Sequence, residues 1–162
     1  MNLIAIGQVL FLLGVANGAP VLAKWLIGGR FDWPIDGSAR LSDGRALFGS
    51  SKTYRGVATS LLATMAAAEL ARLSWVFGAI VAALSMAGDL LSSFAKRRCG
   101  AAPSDQMLGV DQIPEAILPA LFAAWAMGLS ILDVLVVVVL FFIAELVGSR
   151  LLFALKIKDR PY

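Results

Sequence analysis

Apolar positions dominate five long stretches of this chain, and polar positions gather between them. The stretches run roughly over Leu3–Ile27, Val57–Leu73, Trp75–Ala95, Glu115–Ile131 and Asp133–Leu155. Each is long enough, or nearly so, to cross about 30 Å of hydrocarbon at about 1.5 Å per helical residue. Only Arg72-Leu73-Ser74 separates the second from the third, which predicts a tight helical hairpin. The fourth and fifth meet at Ser130–Asp133, again with no room for a domain. The polar remainder is a loop over Gly28–Gly56, a second over Arg97–Pro114, and the tail Lys156–Tyr162. The pattern predicts an all-α integral membrane protein with five transmembrane helices, formed as one domain over residues 1–162. The first stretch looks like a signal peptide near Ala16-Asn17-Gly18-Ala19. No basic residue precedes it, however, and the apolar run continues to Ile27, so it reads as a retained span.

Composition agrees, since 59% of the 162 residues are hydrophobic and only 15% are charged. A soluble domain of this length could not hide that much apolar surface, so lipid must be part of its solvent. Every basic residue except Arg72 falls in or beside the two loops and the tail. The positive-inside rule then places the N-terminus outside and the C-terminus and both loops in the cytosol. There is no histidine, which removes the commonest general base and transition-metal ligand. The single Cys99 excludes an internal disulfide and a cysteine-rich zinc site. Any bound metal should be a hard, oxygen-liganded ion, most simply Mg²⁺.

The candidate chemistry sits at the loop ends of the spans. Asp89 lies inside the third apolar run, where a charge costs about 2.5–3.5 kcal/mol on insertion scales. At helical spacing Asp89, Ser92, Ser93 and Lys96 share one face, offering a carboxylate, hydroxyls and a cation suited to phosphate. Arg97 is turned about 100° from Lys96 if the helix continues. Alternatively, Lys96, Arg97 and Arg98 are a plain stop-transfer cluster. Lys52, Thr53 and Arg55 precede a helix expected to begin near Gly56, so cations and backbone N–H groups converge on one anion-binding spot. The competing reading is that Lys52 and Arg55 hold the interface against anionic headgroups. Asp111-Gln112 either opens a helix or joins Asp89 in bracketing the basic cluster, as a Mg²⁺-nucleotide requires. Glu145 is open between an ion pair, a neutral carboxyl and a functional role. Asn17-Gly18-Ala19-Pro20 predicts a kinked or broken first helix beside a cavity. Glu69 and Asp133 read as solvated outer ends. Gly49-x-x-Lys52-Thr53 lacks the glycine and strand of a Walker A loop, and Asp36-Gly37-Ser38-Ala39-Arg40 lacks the later aspartates of a CDP-alcohol phosphotransferase.

Taken in order, Asn17-x-x-Pro20, Pro34-Ile35-Asp36-Gly37, Asp43-Gly44-Arg45-x-Leu47-Phe48-Gly49, Lys52-Thr53-Tyr54-Arg55-Gly56, Gly88-Asp89-x-x-x-Ser93-Phe94-x-Lys96-Arg97-Arg98 and Asp111-Gln112 form a specific set. That set resembles the CDP-archaeol synthase family, relatives of the phosphatidate cytidylyltransferases, from about Asn17 to Pro161-Tyr162. Ser50-Ser51 departs from it, standing where the family usually has a polar or charged pair such as Asp-His. The resemblance implies that CTP and a lipid phosphate give a CDP-lipid and pyrophosphate, with Mg²⁺, in the cell membrane. It implies metal-binding and catalytic roles for Asp89 and Asp111, with Lys96 among the catalytic groups. Lys52, Thr53, Arg55, Ser93, Lys96, Arg97 and Arg98 would contact the nucleotide, and Asn17, Pro20, Asp36 and Gln112 would line the pocket. The implied partners are CTP, the lipid phosphate and membrane lipids, with no nucleic acid. The lipid stays open between an ether-linked archaeal phosphate, a phosphatidic acid and another lipid phosphate. A rival of another class is a small transporter or channel subunit in which Asp89, Glu145 and a broken first helix line an ion path.

Overall fold

The computed structural model describes residues 1–102, 105 and 107–160; Pro161-Tyr162, where the resemblance ends, lies outside them. Five α-helices follow in order: α1 (Leu3–Ile27), α2 (Tyr54–Leu70), α3 (Trp75–Arg98), α4 (Gln112–Met127) and α5 (Ile131–Ala154). Each overlaps one predicted span. Among the described residues, extended pairing is limited to isolated bridges, Pro34 with Thr53 and Arg40 with Ala46. α1, α3 and α5, at 25, 24 and 24 residues, are long and apolar enough to cross a membrane, whereas α2 and α4 have 17 and 16 residues.

Capping chemistry sets where the helices start and stop. The Thr53 hydroxyl accepts from the Gly56 N–H at 3.2 Å, so α2 begins at Tyr54, ahead of the predicted start, because the cap satisfies a first-turn donor. Gly128, left-handed at φ 67°, ends α4 short of Ile131, since glycine enters that conformation without a Cβ penalty. α3 runs on to Arg98, so the three cations are helical. α1 continues through Pro20 without breaking, which corrects the expectation of a broken helix. Asp133 is 3% exposed rather than solvated. It forms a capping box with Ser130, the pairing that fixes the turn between α4 and α5. Glu69 is exposed, as expected, and accepts from the Trp75 N–H at 2.8 Å across the other hairpin.

α1 touches all four other helices. Its Ile6, Val9 and Leu13 pack with Ala116, Ala120 and Ala123 of α4 and with Val134, Val137 and Phe141 of α5. Small residues let these backbones approach closely, which is how helices associate in lipid. The tightest approach is at Gly88 of α3, where a Cβ would lie 2.2 Å from the Pro114 carbonyl oxygen. Outside the core, Phe11, Leu62, Leu135, Val139 and Ile143 are exposed, as lipid-facing side chains should be. All four tryptophans, Trp25, Trp33, Trp75 and Trp125, are exposed too, and they lie close to helix ends as interfacial anchors do.

Candidate active site

The first loop owes its shape to a few ionic side chains. Asp36 accepts from the backbone N–H groups of Ser38, Phe48 and Gly49 at 3.0, 2.9 and 3.1 Å. Burial pushes its carboxyl upward, but these donors outweigh that and hold it below its ordinary 3.8. Arg55, 8% exposed, donates to the carbonyls of Gly28 and Arg30, each at 2.6 Å, and pairs with Asp32 at 2.8 Å. Arg98 reaches Asp43 at 2.7 Å and the Ala46 carbonyl at 2.6 Å, while Arg45 donates to the Arg98 carbonyl. The loop is thereby folded back onto the end of α3.

Between that loop, α1, α3, α4, α5 and the tail lies a cavity of about 720 Å³, within the size of a small-ligand site. Lys52 Nζ meets both oxygens of Asp89 at 2.5 Å. Burial opposes the charge on Lys52, yet the adjacent Asp89 outweighs it and lifts the ammonium above its ordinary 10.5. Lys96 Nζ lies 2.6 Å from Asp111 Oδ1 and donates to the Asp105 carbonyl at 2.9 Å. Glu115, 6% exposed, sits beside Asp89. The contact at Gly88 brings these two carboxylates together, because any side chain there would force α3 away from the start of α4. Ser93 is buried in the same wall. Asn17 donates to the Leu13 carbonyl at 3.1 Å and to Ser85 Oγ at 3.0 Å.

Of the predicted site residues, Asn17, Pro20, Lys52, Thr53, Arg55, Asp89, Ser93, Lys96, Arg97, Asp111 and Gln112 all line this cavity. Asp36 and Arg98 do not. Asp36 braces the first loop from behind, and Arg98 is spent on Asp43 and Ala46 while its guanidinium lies 5.3 Å from the Phe94 ring. Ser92 turns off the expected stripe into an apolar groove on the other side of α3. Arg97, which helical spacing turns about 100° from Lys96 although the resemblance sets it at the nucleotide, is 4% exposed and lines the cavity, because the segment after α3 folds over the helix end and its Ala102 carbonyl accepts from Arg97 at 3.0 Å. Sequence reasoning missed Glu115, which stood as a span boundary. Its signal was the i, i+4 spacing to Asp111, which puts the two carboxylates on one helix face. It also missed Asp105 and gave Lys158 only a topological role.

Among the described residues no three His, Cys, Asp or Glu side chains form a ready metal cage. Mg²⁺ does not need one, since it is commonly held by one or two carboxylates together with substrate phosphates. Asp89, Asp111 and Glu115 in one cavity are an oxygen donor set that fits such an ion.

A family model described as CarS-like, CDP-archaeol synthase, matches residues 1–162. A CDP-archaeol synthase of Sulfurisphaera tokodaii is 32% identical over 155 residues, covering 91% of this chain and 89% of its own length. One from Hyperthermus butylicus is 38% identical over 118 residues, covering 67% of each. A solved structure described as an intramembrane enzyme for archaeal membrane lipid biosynthesis superposes with a TM-score of 0.70 at 26% identity, over 86% of this chain and 91% of that one. Three long apolar helices and this likeness mark a membrane protein, and the chain belongs to the CDP-archaeol synthase family.

Proposed function

We propose that this protein transfers the cytidylyl group of CTP to the phosphate of a membrane lipid, with an archaeol-type ether lipid phosphate as the preferred acceptor over a diacyl one. The observation that carries the reading is the pair of lysine–carboxylate contacts, Lys52–Asp89 and Lys96–Asp111, facing one cavity at the polar end of an apolar bundle. The relatives' names supply the nucleotide and the lipid class. A lipid-phosphate oxygen attacks the α-phosphorus of CTP, the new P–O bond forms, the α–β bridging bond breaks, and pyrophosphate leaves. With a second pKa near ~6, the attacking monoester is already largely dianionic at neutral pH. It needs no general base, in keeping with a chain that has no histidine.

What remains is in-line positioning and neutralisation of charge on the α-phosphate and on the departing pyrophosphate. Asp89 and Asp111 would hold Mg²⁺, which when bound offsets phosphate charge. Lys52 and Lys96 release those carboxylates and take phosphate oxygens, with Arg97 and the Ser93 hydroxyl beside them. The cavity is compatible with such an exchange because Lys52 and Lys96 line it directly beside the carboxylates they would leave. In this reading all five helices cross the bilayer as one unit, with the N-terminus outside and both loops in the cytosol, where CTP is. The ion-path rival loses ground because Asp89, Asp111, Glu115 and Glu145 all line one cavity at one end of the bundle.

The test is turnover by purified protein with CTP, a panel of dialkyl and diacyl lipid phosphates, and Mg²⁺ or EDTA. CDP-lipid and pyrophosphate should form in equal amounts, fastest with dialkyl acceptors, and stop in EDTA. No CDP-lipid from any acceptor would refute the reading. For topology, single cysteines at positions 38 and 101, in a Cys99→Ser background, should label from the cytosol and one at the exposed position 131, beside Asp133, from outside.

A further inference from the structure

Beyond α5 the chain turns through Lys156, at φ 57°, and doubles back over the cavity. Asp159 pairs with Lys24 of α1 at 2.7 Å, and Arg160 pairs with Asp105 at 3.2 Å. Tied on both sides, the tail presents Lys158 to the cavity wall next to Glu145. Lys158 Nζ donates to Ser149 Oγ at 2.8 Å. Lys24, Lys52, Arg55 and Lys96 each face a carboxylate. Among the described residues Lys158 has none within ion-pair distance. A half-buried ammonium with one hydroxyl partner is poorly compensated, and burial holds it below its ordinary 10.5 although Glu145 pulls the other way. Such a group gains most when an anion arrives.

The surroundings indicate which anion. Buried contact between α1 and α5 involves Ile6, Val9 and Leu13 against Val134, Val137 and Phe141, all toward the end remote from the loops. Toward the loop end the two helices leave apolar side chains uncovered: Leu22, Trp25 and Leu26 on α1, of which Trp25 also lines the cavity, and Phe153 on α5. Lys158 folds back onto Ser149, which shares a face of α5 with Phe153 at i, i+4, whereas Lys52, Lys96 and Arg97 belong to the first loop and the end of α3. We propose that Lys158 is the binding residue for the phosphate of the lipid substrate, and that the lipid approaches between the loop-end halves of α1 and α5 with its chains against those apolar faces. The proposal rests on the cytidylyl-transfer reading for the identity of the two substrates; the division of cations between them is new.

The experiment uses the full-length protein in nanodiscs and two separate titrations, one with a dialkylglycerol phosphate and one with CTP. Lys158→Gln should weaken lipid-phosphate binding about ten- to a hundredfold, the loss of one charge-assisted contact, and leave CTP binding within about twofold. Lys158→Arg should restore most of the lipid affinity. A dialkylglycerol phosphate with a photoreactive group in its chain should label residues 22–26 and Phe153. Unchanged lipid-phosphate binding in Lys158→Gln, equal losses for both ligands, or labelling confined to α2 and α4 overturns the proposal. Wild-type protein that binds both ligands but forms no CDP-lipid would instead overturn the transferase reading, and the Lys158 comparison would still be decided by the titrations. Wild-type protein that binds CTP and no lipid phosphate overturns the Lys158 proposal by itself.

Discussion

At the end of the bundle where α1 begins, Val9 and Leu13 meet Ala123 and Val137 with all four side chains at 0% exposure. At the loop end the same α1 carries Asn17 and Lys24, the same α4 carries Gln112 and Glu115, and the same α5 leads to Glu145 and Lys158, all around an open cavity. Shape alone stabilises the first region, because in lipid the packing of small and branched residues does what water would otherwise drive. The second region instead holds its charges in pairs, Asp89 with Lys52 and Asp111 with Lys96. Those pairings occupy the groups that substrates would need. The contrast therefore predicts that substitutions at the loop end show in turnover and those at the dry end show in stability.

The largest expected effects sit where the two regions join. Gly88→Leu would drive a side chain into the Pro114 backbone and part α3 from α4, so the protein should fail to accumulate or lose all turnover. Asp89→Asn keeps the volume and removes the charge. We expect insertion and purification to persist and turnover to fall about 10²–10³-fold, with Asp111→Asn milder. Near-wild-type rates for Asp89→Asn at saturating Mg²⁺ would remove the central carboxylate from the mechanism.

Next in size are the cations. Lys96→Gln should cost about 1.5–3 kcal/mol in transition-state binding, roughly ten- to a hundredfold in kcat/KM. Helical geometry alone ranks Arg97 well below Lys96, but the fold puts both in the cavity, and among the described residues Arg97 has no paired carboxylate to give up on binding phosphate. Arg97→Gln should therefore cost as much as Lys96→Gln. Small equal losses with unchanged KM for CTP would return the cluster to a topological role.

This ranking shows where the sequence was legible. Apolar run length disclosed all five helices, and cation bias placed the two loops and the tail at one end, where Arg98–Asp43, Lys24–Asp159 and Arg160–Asp105 now link them. Asp89 stood out because charge inside an apolar run is costly. Glu115 did not, since at the head of such a run it looks like a solvated end; only the glycine contact at Gly88 reveals that it is buried against Asp89. For a related reason, helical periodicity ranked Arg97 below Lys96, although the family resemblance set it at the nucleotide, and cation bias gave Lys158 only a topological role. Their surroundings are made by segments folding back over helix ends, and helical periodicity carries no information about that.

A smaller effect is expected at the dry end. Leu13→Ala leaves a void among Val9, Ala120 and Val137. It should cost about 2 kcal/mol, the low end for large-to-small core changes, because lipid also solvates the exposed side chain in the less folded state. Thermal stability should drop while kcat/KM for the remaining folded protein stays within about twofold. A larger loss in kcat/KM than in stability would mean that the two ends are not separable.

The smallest effect concerns Asp36, which belongs to the loop end yet lies outside the cavity. Its carboxyl is held below 3.8 by the Phe48, Gly49 and Ser38 N–H groups despite burial. A carboxylate depressed on folding contributes stability above its unfolded pKa and loses it as pH falls through the folded value. Asp36→Asn should thus be less stable than wild type at pH 6, by under about 1 kcal/mol given solvent screening, and the gap should close below about pH 3.8. Thermal melts of both proteins from pH 6 to pH 3 measure it. A gap that stays constant across that range would mean that Asp36 braces the loop through the shape of its hydrogen bonds and not through its charge.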